Sequence, residues 1–368
     1  MGFNCGIVGL PNVGKSTLFN AITSGRADAS NYPFCTIDPN IGIVPIPDAR
    51  LDSLVAIYRP AKRVPSVIEF VDIAGLVRGA SRGEGLGNQF LARIRDVDAI
   101  AHVVRCFDDP NVVHVDGTIN PRRDIEVVEA ELIFKDLDTV EKKLSESGKK
   151  GKSGDRKSAL EAEFYARLRD HLMEGRLVRC ATVQSPEESI WLRDCHLLTN
   201  KPVMYVCNVS EGDAVKGNDY VRVVLDIAAR EGARVVTVCA AVEAEVARLD
   251  EQERLPFLEG LGLQESGLTK VIHEGYALLG LITFYTAGPK EVHAWTVPRG
   301  TPAPAAAGVI HTDFRKGFIR AEIIRSGDLI RLHSEAAVRE AGLLAVEGKE
   351  YLIQDGDIAH FRFSVSTG

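Results

Sequence analysis

The sequence predicts an α/β fold with a doubly wound, mostly parallel sheet, and three observations carry that expectation. The first is Gly9-Leu10-Pro11-Asn12-Val13-Gly14-Lys15-Ser16, which fits the phosphate-loop pattern G-x-x-x-x-G-K-[ST]. It lies between an apolar run, Cys5-Gly6-Ile7-Val8, and a helical pattern, Thr17-Leu18-Phe19-Asn20-Ala21-Ile22. A strand, a glycine loop and a helix start let backbone N–H groups wrap a polyphosphate at a positive helix end. The second is Val67-Ile68-Glu69-Phe70-Val71-Asp72, a strand pattern that delivers Asp72-Ile73-Ala74-Gly75, a metal-and-γ-phosphate element, downstream of that loop. The third is the alternation of strand and helix patterns over residues 1–110, which resumes after residue 200. Residues 1–280 therefore read as a P-loop NTPase domain.

Taken in order, the elements place the chemistry. In the phosphate loop, Lys15 is expected to reach the β- and γ-phosphates and the Ser16 hydroxyl to ligate Mg²⁺, with Asn12, Val13, Gly14 and Thr17 around them. Thr36, in Tyr32-Pro33-Phe34-Cys35-Thr36, is expected to reach the same metal. Ile41-Gly42-Ile43-Val44 reads as the second strand. Asp72 is expected to hold Mg²⁺ through water, and the Gly75 amide to sense the γ-phosphate. Gly79 to Gly87 carries four glycines in nine positions, a segment costly in backbone entropy to order and suited to a nucleotide-gated switch. A helix from Asn88 to Ile94 and a strand from Ala99 to Cys106 follow, then a loop with Asp108, Asp109 and His114.

Residues 122–200 break the alternation. Ile133, Leu137, Val140 and Leu144, then Leu160, Phe164, Leu168 and Leu172, lie at helical spacing. They predict a helical hairpin arm whose two helices are joined by a basic glycine turn, Ser147 to Lys157. Ser185-Pro186-Glu187-Glu188 is a capping box that starts a further helix. The sheet resumes with Pro202 to Cys207, which ends in Asn208-Val209-Ser210-Glu211. A helix from Tyr220 to Glu231 leads to strand Arg234–Cys239 and Ala240-Ala241-Val242-Glu243, and a helix spans Leu268 to Leu279. Strand-like alternation at Leu281–Tyr285, Glu291–Val297 and Ala359–Phe363, around a Pro/Ala-rich loop at Thr301–Ala307, makes 281–368 a separate small α+β domain.

Composition excludes several classes. The chain has 368 residues, 26% charged and 45% hydrophobic, as ordinary globular proteins do. A net charge of −7 means that any nucleic-acid contact must come from local patches. No apolar run reaches membrane-spanning length, and the immediate entry into a strand leaves no room for a signal peptide. The seven cysteines show no C-x-x-C pair, and Cys5, Cys106, Cys207 and Cys239 sit in or beside apolar strands. Core filling in a reduced cytoplasm is the expectation, with neither a zinc site nor a disulfide framework.

Residues 9–16, Pro33-Phe34-Cys35-Thr36, Asp72-Ile73-Ala74-Gly75-Leu76, Asn208-Val209-Ser210-Glu211 and Thr286-Ala287-Gly288-Pro289-Lys290-Glu291-Val292 together resemble the YchF, or Obg-like ATPase, family of translation-factor-related P-loop NTPases. The resemblance covers nearly the whole chain. Its tail is similar to a TGS domain, a ubiquitin-like β-grasp module, most specifically at Gly308 to Phe314 with Phe318 to Glu322. The resemblance implies ATP hydrolysis, a cytoplasmic location and association with ribosomes. Cys239-Ala240-Ala241 departs from the Ser-Ala-Lys usual in the family at the base-contacting loop.

Two features refine the chemistry. GTPases read guanine with N-K-x-D, whose aspartate accepts two base hydrogen bonds. Here Glu211 is one methylene longer and Val209 lacks the lysine stem, so the site stops rejecting adenine. Leu76 stands where a glutamine often orients the attacking water, and leucine cannot polarise water. His114 is the candidate for that task, against an ordinary exposed loop histidine. The resemblance supports the catalytic reading, since a histidine in this loop is the family's proposed catalytic group. His102, inside a strand, reads as buried structure. Asn12 also matches a position that coordinates K⁺ in some related NTPases.

The reading is therefore an ATP-preferring hydrolase and conformational switch, with Lys15, Gly75 and His114 at the chemistry. Asn208, Val209, Glu211, Cys239 and Ala240 sit at the base. A regulatory module with vestigial hydrolysis is the alternative that Leu76 permits, and a P-loop kinase is disfavoured by the lack of an acceptor lid. Ribosomes and RNA are expected at two basic patches. One is the arm tip, with Lys149, Lys150, Lys152, Arg156 and Lys157. The other combines Arg315, Lys316, Arg320 and Arg325 with Phe314 and Phe318. A monomer is expected, without membrane or DNA contacts.

Overall fold

The computed structural model describes residues 3–24, 40–73, 86–152 and 155–364. Thr36, Gly75, Leu76 and residues 79–85 of the glycine-rich stretch lie outside them. The chain opens with β1 (Asn4–Val8), α1 (Lys15–Ser24), β2 (Ile41–Pro45), α2 (Ala49–Tyr58) and β3 (Lys62–Val64). It continues through β4 (Val67–Asp72), α3 (Leu86–Asp96), β5 (Ala99–Cys106), α4 (Pro121–Lys152), α5 (Arg156–Met173) and α6 (Pro186–Asp194). Then come β6 (Val203–Val209), α7 (Asp219–Glu231), β7 (Arg234–Val238), α8 (Ala240–Val246), α9 (Glu251–Gly260) and α10 (Gly267–Leu278). Among the described residues, no helix is long and apolar enough to cross a membrane.

Two compact units result, one of Phe3–Gly42 with Glu69–Gly275 and one of Ile43–Ile68 with Tyr276–Gly368. The first is built on a sheet ordered β2-β4-β1-β5-β6-β7. β4, β1, β5, β6 and β7 run parallel, in registers such as Ile7 opposite Asp72 and Asn208 opposite Val238. Every residue of β5 and β6 is buried, as a parallel sheet covered on both faces requires. Cys5, Cys106, Cys207 and Cys239 are buried with them.

The arm has its own core, in which Ile133 and Val140 of α4 meet Phe164, Leu168 and Leu172 of α5. Leu160, assigned to the same stripe by its spacing, is exposed instead. The basic glycine segment is mostly not a turn: α4 runs through Gly148 and Gly151 to Lys152, and α5 restarts at Arg156 with Asp155 as its cap. Gly151 serves packing, since a Cβ there would lie 3.1 Å from the Ala159 Cα. The Ser185 hydroxyl accepts from the Glu188 N–H at 3.2 Å and so starts α6 where the sequence places it.

The second unit carries β8 (Leu281–Ala287), β9 (Glu291–Pro298), α11 (Ala303–Ile310), α12 (Thr312–Lys316), β10 (Phe318–Arg325), α13 (Ser326–Leu332), α14 (Glu335–Glu340), β11 (Ala345–Glu347) and β12 (Asp357–Phe363). Its sheet order is β11-β10-β12-β8-β9-β3, with the β8–β9 hairpin antiparallel and β12 parallel to β8. Thr301–Ala307 is not a loop throughout. From Ala303 it forms α11, because Ala303, Ala306 and Ala307 are fully buried beside Ile282, Phe284 and Val297, and alanine favours helix. Ile43–Ile68 groups with this unit for a packing reason. Leu51 and Leu54 of α2 fill the core around Tyr285 and Ile324, and β3 pairs with β9.

Candidate nucleotide-binding site

Five parallel strands end on one edge of the first sheet, where open α/β sheets hold their ligands. β1 runs into the phosphate loop, β4 ends at Asp72, β5 runs into the loop of residues 107–118, β6 ends at Asn208 and Val209, and β7 runs into Cys239 and Ala240. A cavity of about 510 Å³ opens there. Asn12, Gly14 and Thr17 line one side, Phe107, Asp108 and Val112 another, and Asn208, Glu211, Cys239 and Ala240 the third.

Each position has a local reason. Gly14 turns the loop with φ +97°, and a Cβ there would collide with the Asn208 Nδ2. Asn208 joins the two halves of the site: Nδ2 donates to the Val13 carbonyl at 2.9 Å, and Oδ1 accepts from the Ala240 N–H at 3.0 Å. Val13 and Ala240 thus contribute backbone, while the buried side chains of Val209 and Cys239 shape the wall. Ser16, Thr17 and Glu211 are exposed and free to meet a ligand. Asn12, itself left-handed at φ +62°, donates to the Val113 carbonyl at 3.1 Å.

Lys15 is buried, and its Nζ donates to the Leu10 carbonyl at 2.6 Å. Burial pulls its pKa down to about 8, with the charge of Asp72 opposing the shift. Burial also raises the Asp72 carboxyl above its usual range, against the pull of Lys15 and Arg93. Among the described residues the buried Asp72 Oδ1 has no hydrogen-bond partner, a costly state for a carboxylate oxygen. A divalent cation would complete it, and the oxygen donors of Asp72 and Ser16 suit a hard ion such as Mg²⁺. Thr36, expected at the same metal, and Gly75, expected at the γ-phosphate, lie outside the described residues.

His114 is not on an open loop. Its ring is buried, Nε2 lies 2.9 Å from the Asp124 Oδ2, and Nδ1 accepts from the Asp116 N–H at 3.1 Å. His102 is buried in β5 as expected, and burial drives its pKa down to about 3. Sequence reasoning missed Arg105, which is buried at the end of β5. Its guanidinium donates to the carbonyls of Phe107, Val112 and Asp109 at 3.1, 2.9 and 3.2 Å, so it shapes the cavity wall from beneath. An arginine inside the apolar run Ala99–Cys106 was the available signal.

The tail patch is thinner than its sequence suggests. Arg325 is paired with the buried Asp357 and Arg320 with Glu322, while Phe318 faces the core. Phe314 stacks on Phe363 at 3.9 Å between ring centroids, and Arg315 and Lys316 stay exposed.

A glycine loop at the end of the central strand, its lysine within electrostatic reach of a strand-end aspartate, is the geometry of a P-loop nucleoside triphosphatase. The comparisons with known proteins agree. Residues 4–143 match the family described as "50S ribosome-binding GTPase", and residues 281–364 match the YchF-GTPase C-terminal family, described as "Protein of unknown function (DUF933)". The chain belongs to the YchF family. It is 52% identical over 365 residues to the "Ribosome-binding ATPase YchF" of Pasteurella multocida, covering 99% of this chain and 100% of that protein. The Bacillus subtilis protein of the same description is 50% identical over 367 residues, with the same coverage. The solved structure of the Schizosaccharomyces pombe YchF GTPase has a TM-score of 0.88, 40% identity and 98% coverage of both chains.

Proposed function

We propose that this chain is a Mg²⁺-dependent P-loop NTPase that hydrolyses ATP in preference to GTP and acts as a nucleotide-gated switch on the ribosome. The observation that carries the base preference is the end of β6, where the buried Val209 and the exposed Glu211 replace the lysine stem and aspartate that read guanine. The relatives from Pasteurella multocida and Bacillus subtilis are described as ribosome-binding ATPases, which supports ATP and the ribosome, although the fission-yeast homologue is described as a GTPase. Cytoplasmic location, a monomeric state, RNA as the contacted surface and K⁺ beside Asn12 belong to the same proposal.

In this reading Lys15 leaves the Leu10 carbonyl to meet the β- and γ-phosphates, and the loop N–H groups around Gly14 cradle them. Ser16 and Asp72, with Thr36, hold Mg²⁺, which when bound neutralises charge on the phosphate oxygens. Gly75 senses the γ-phosphate, and Asn208, Val209, Cys239 and Ala240 frame the base. Leu76 leaves the attacking water to His114. The test is ATP turnover with and without ribosomes, for the wild type, Lys15→Ala and His114→Ala. Lys15→Ala is expected to fail at binding. His114→Ala is expected to keep its affinity and lose about 10²–10⁴-fold in turnover. Wild-type turnover by His114→Ala would remove His114 from the mechanism.

A further inference from the structure

His114 is withdrawn from the cavity, and the cause is specific. Nδ1 accepts from the Asp116 N–H, so the proton of the neutral ring sits on Nε2 and is donated to Asp124. Both nitrogens are therefore spent, and His114 is not among the residues that line the cavity. The Asp124 side chain is 4% exposed and lies in the first turn of α4, the helix that runs on into the arm. Its other oxygen accepts from the Arg123 guanidinium at 3.0 Å, and the same guanidinium reaches Asp116 at 3.5 Å and the Thr118 hydroxyl at 3.1 Å. Arg123 thus supplies a positive partner to both Asp124 and Asp116 within this cluster.

The loop that carries the ring is also close to the chemistry. The carbonyl of Val113 is tied to Asn12 of the phosphate loop, while the Val113 and Val115 side chains stand 74% and 53% exposed on either side of the buried histidine. Turning residues 113–115 over would exchange two exposed apolar side chains for one imidazole, and the hydrogen bond to Asp124 opposes that exchange.

We propose that Asp124 is a positioning residue that holds His114 out of the nucleotide site, and that hydrolysis requires this hydrogen bond to be given up. The inference rests on the reading of His114 as the group that handles the attacking water. Weakening a hydrogen bond to a buried charge shifts such an equilibrium by about tenfold or more.

The test uses the full chain with Asp124→Asn, which keeps the shape, and Asp124→Ser as a second variant. Three quantities are read: basal ATP turnover, ATP affinity, and the ¹⁵N ring signals of His114. Both variants are expected to convert His114 from a single Nε2–H tautomer to the mixed pattern of a solvated ring. Turnover rises about tenfold while affinity stays within about twofold, and adding His114→Ala cancels the gain. Unchanged ring signals in both variants would overturn the proposal, because Asp124 would not be what holds the ring. A fall in turnover with the ring released would also overturn it, by making Asp124 a partner of His114 during the reaction. If His114→Ala alone turns over like the wild type, the reading of His114 fails and carries this inference with it. A normal loss in His114→Ala without any gain in Asp124→Asn sinks only the latch.

Discussion

Lys15 shows how a single buried charge sets the terms of binding. Its ammonium is bound to the Leu10 carbonyl, and burial has pulled its pKa down to about 8. A triphosphate brings negative charge to the same group and restores full protonation. Binding near pH 8 therefore takes up protons, and affinity falls as the pH rises further, because the site must then recover a proton it has lost. Titration calorimetry at pH 8 in two buffers of different ionisation enthalpy checks this, and identical apparent enthalpies would contradict it. Gly14 fails differently. A side chain at φ +97° costs about 1–3 kcal/mol in strain and also displaces the Asn208 amide, so Gly14→Ala is expected to lose tenfold or more in nucleotide affinity with little change in overall helicity. The phosphate loop was legible in sequence because Gly14, Lys15 and Ser16 each do local work that only their own chemistry permits. Asp124 was not, because its role depends on a contact ten residues away across an irregular loop.

Helix α4 is fixed to the sheet by a half-buried polar cluster. Arg179 donates to Glu129 of α4 at 3.0 Å and to Glu231 of α7 at 2.6 Å, and the Tyr205 hydroxyl of β6 lies 3.0 and 2.8 Å from the same carboxylates. Burial and the neighbouring Glu231 raise the pKa of Glu129 from 4.5 to about 7, with Arg179 opposing. A raised carboxyl holds its proton more tightly folded than unfolded. Its contribution to stability is complete below pH 4.5 and is lost as the pH climbs through 7. Thermal unfolding from pH 4 to 8 should show the wild type losing stability relative to Glu129→Gln, and parallel curves would contradict that account. At this scale the sequence was clearest where burial is symmetrical. All of β5 sits within its expected limits, Ala99 to Cys106, because a run that is apolar except for His102 and Arg105 fits a strand covered on both faces. It misled where a breaker residue was used for packing. Gly151 lets α4 and α5 approach closely, and the Pro/Ala segment becomes α11 because Ala306 and Ala307 bury fully against a sheet that sequence spacing cannot reveal.

The whole chain combines a nucleotide-binding unit that carries a basic-tipped arm with a second unit built on a mixed sheet. Of the two patches proposed for RNA, the tail commits Arg320 and Arg325 to carboxylates, whereas Lys149, Arg156 and Lys157 at the arm tip are exposed. Reversing Lys149, Lys150, Lys152, Arg156 and Lys157 to glutamate should weaken co-sedimentation with ribosomes and flatten its salt dependence, while ATP hydrolysis by the free protein persists. Unchanged ribosome binding would return the arm to the role of a soluble spacer. The broad architecture followed from the order of strand and helix patterns. The grouping of Ile43–Ile68 with the tail did not, since it depends on which core Leu51 and Leu54 fill. The central claim is that this P-loop site takes adenine because the end of β6 has lost its guanine reader. It is tested most directly by titration calorimetry of the wild type with ATP and with GTP at one Mg²⁺ concentration. Each base hydrogen bond to a charged partner is worth about 1.5–3 kcal/mol, so the account predicts ATP binding at least as tight as GTP, and a preference for GTP of about tenfold or more would contradict it.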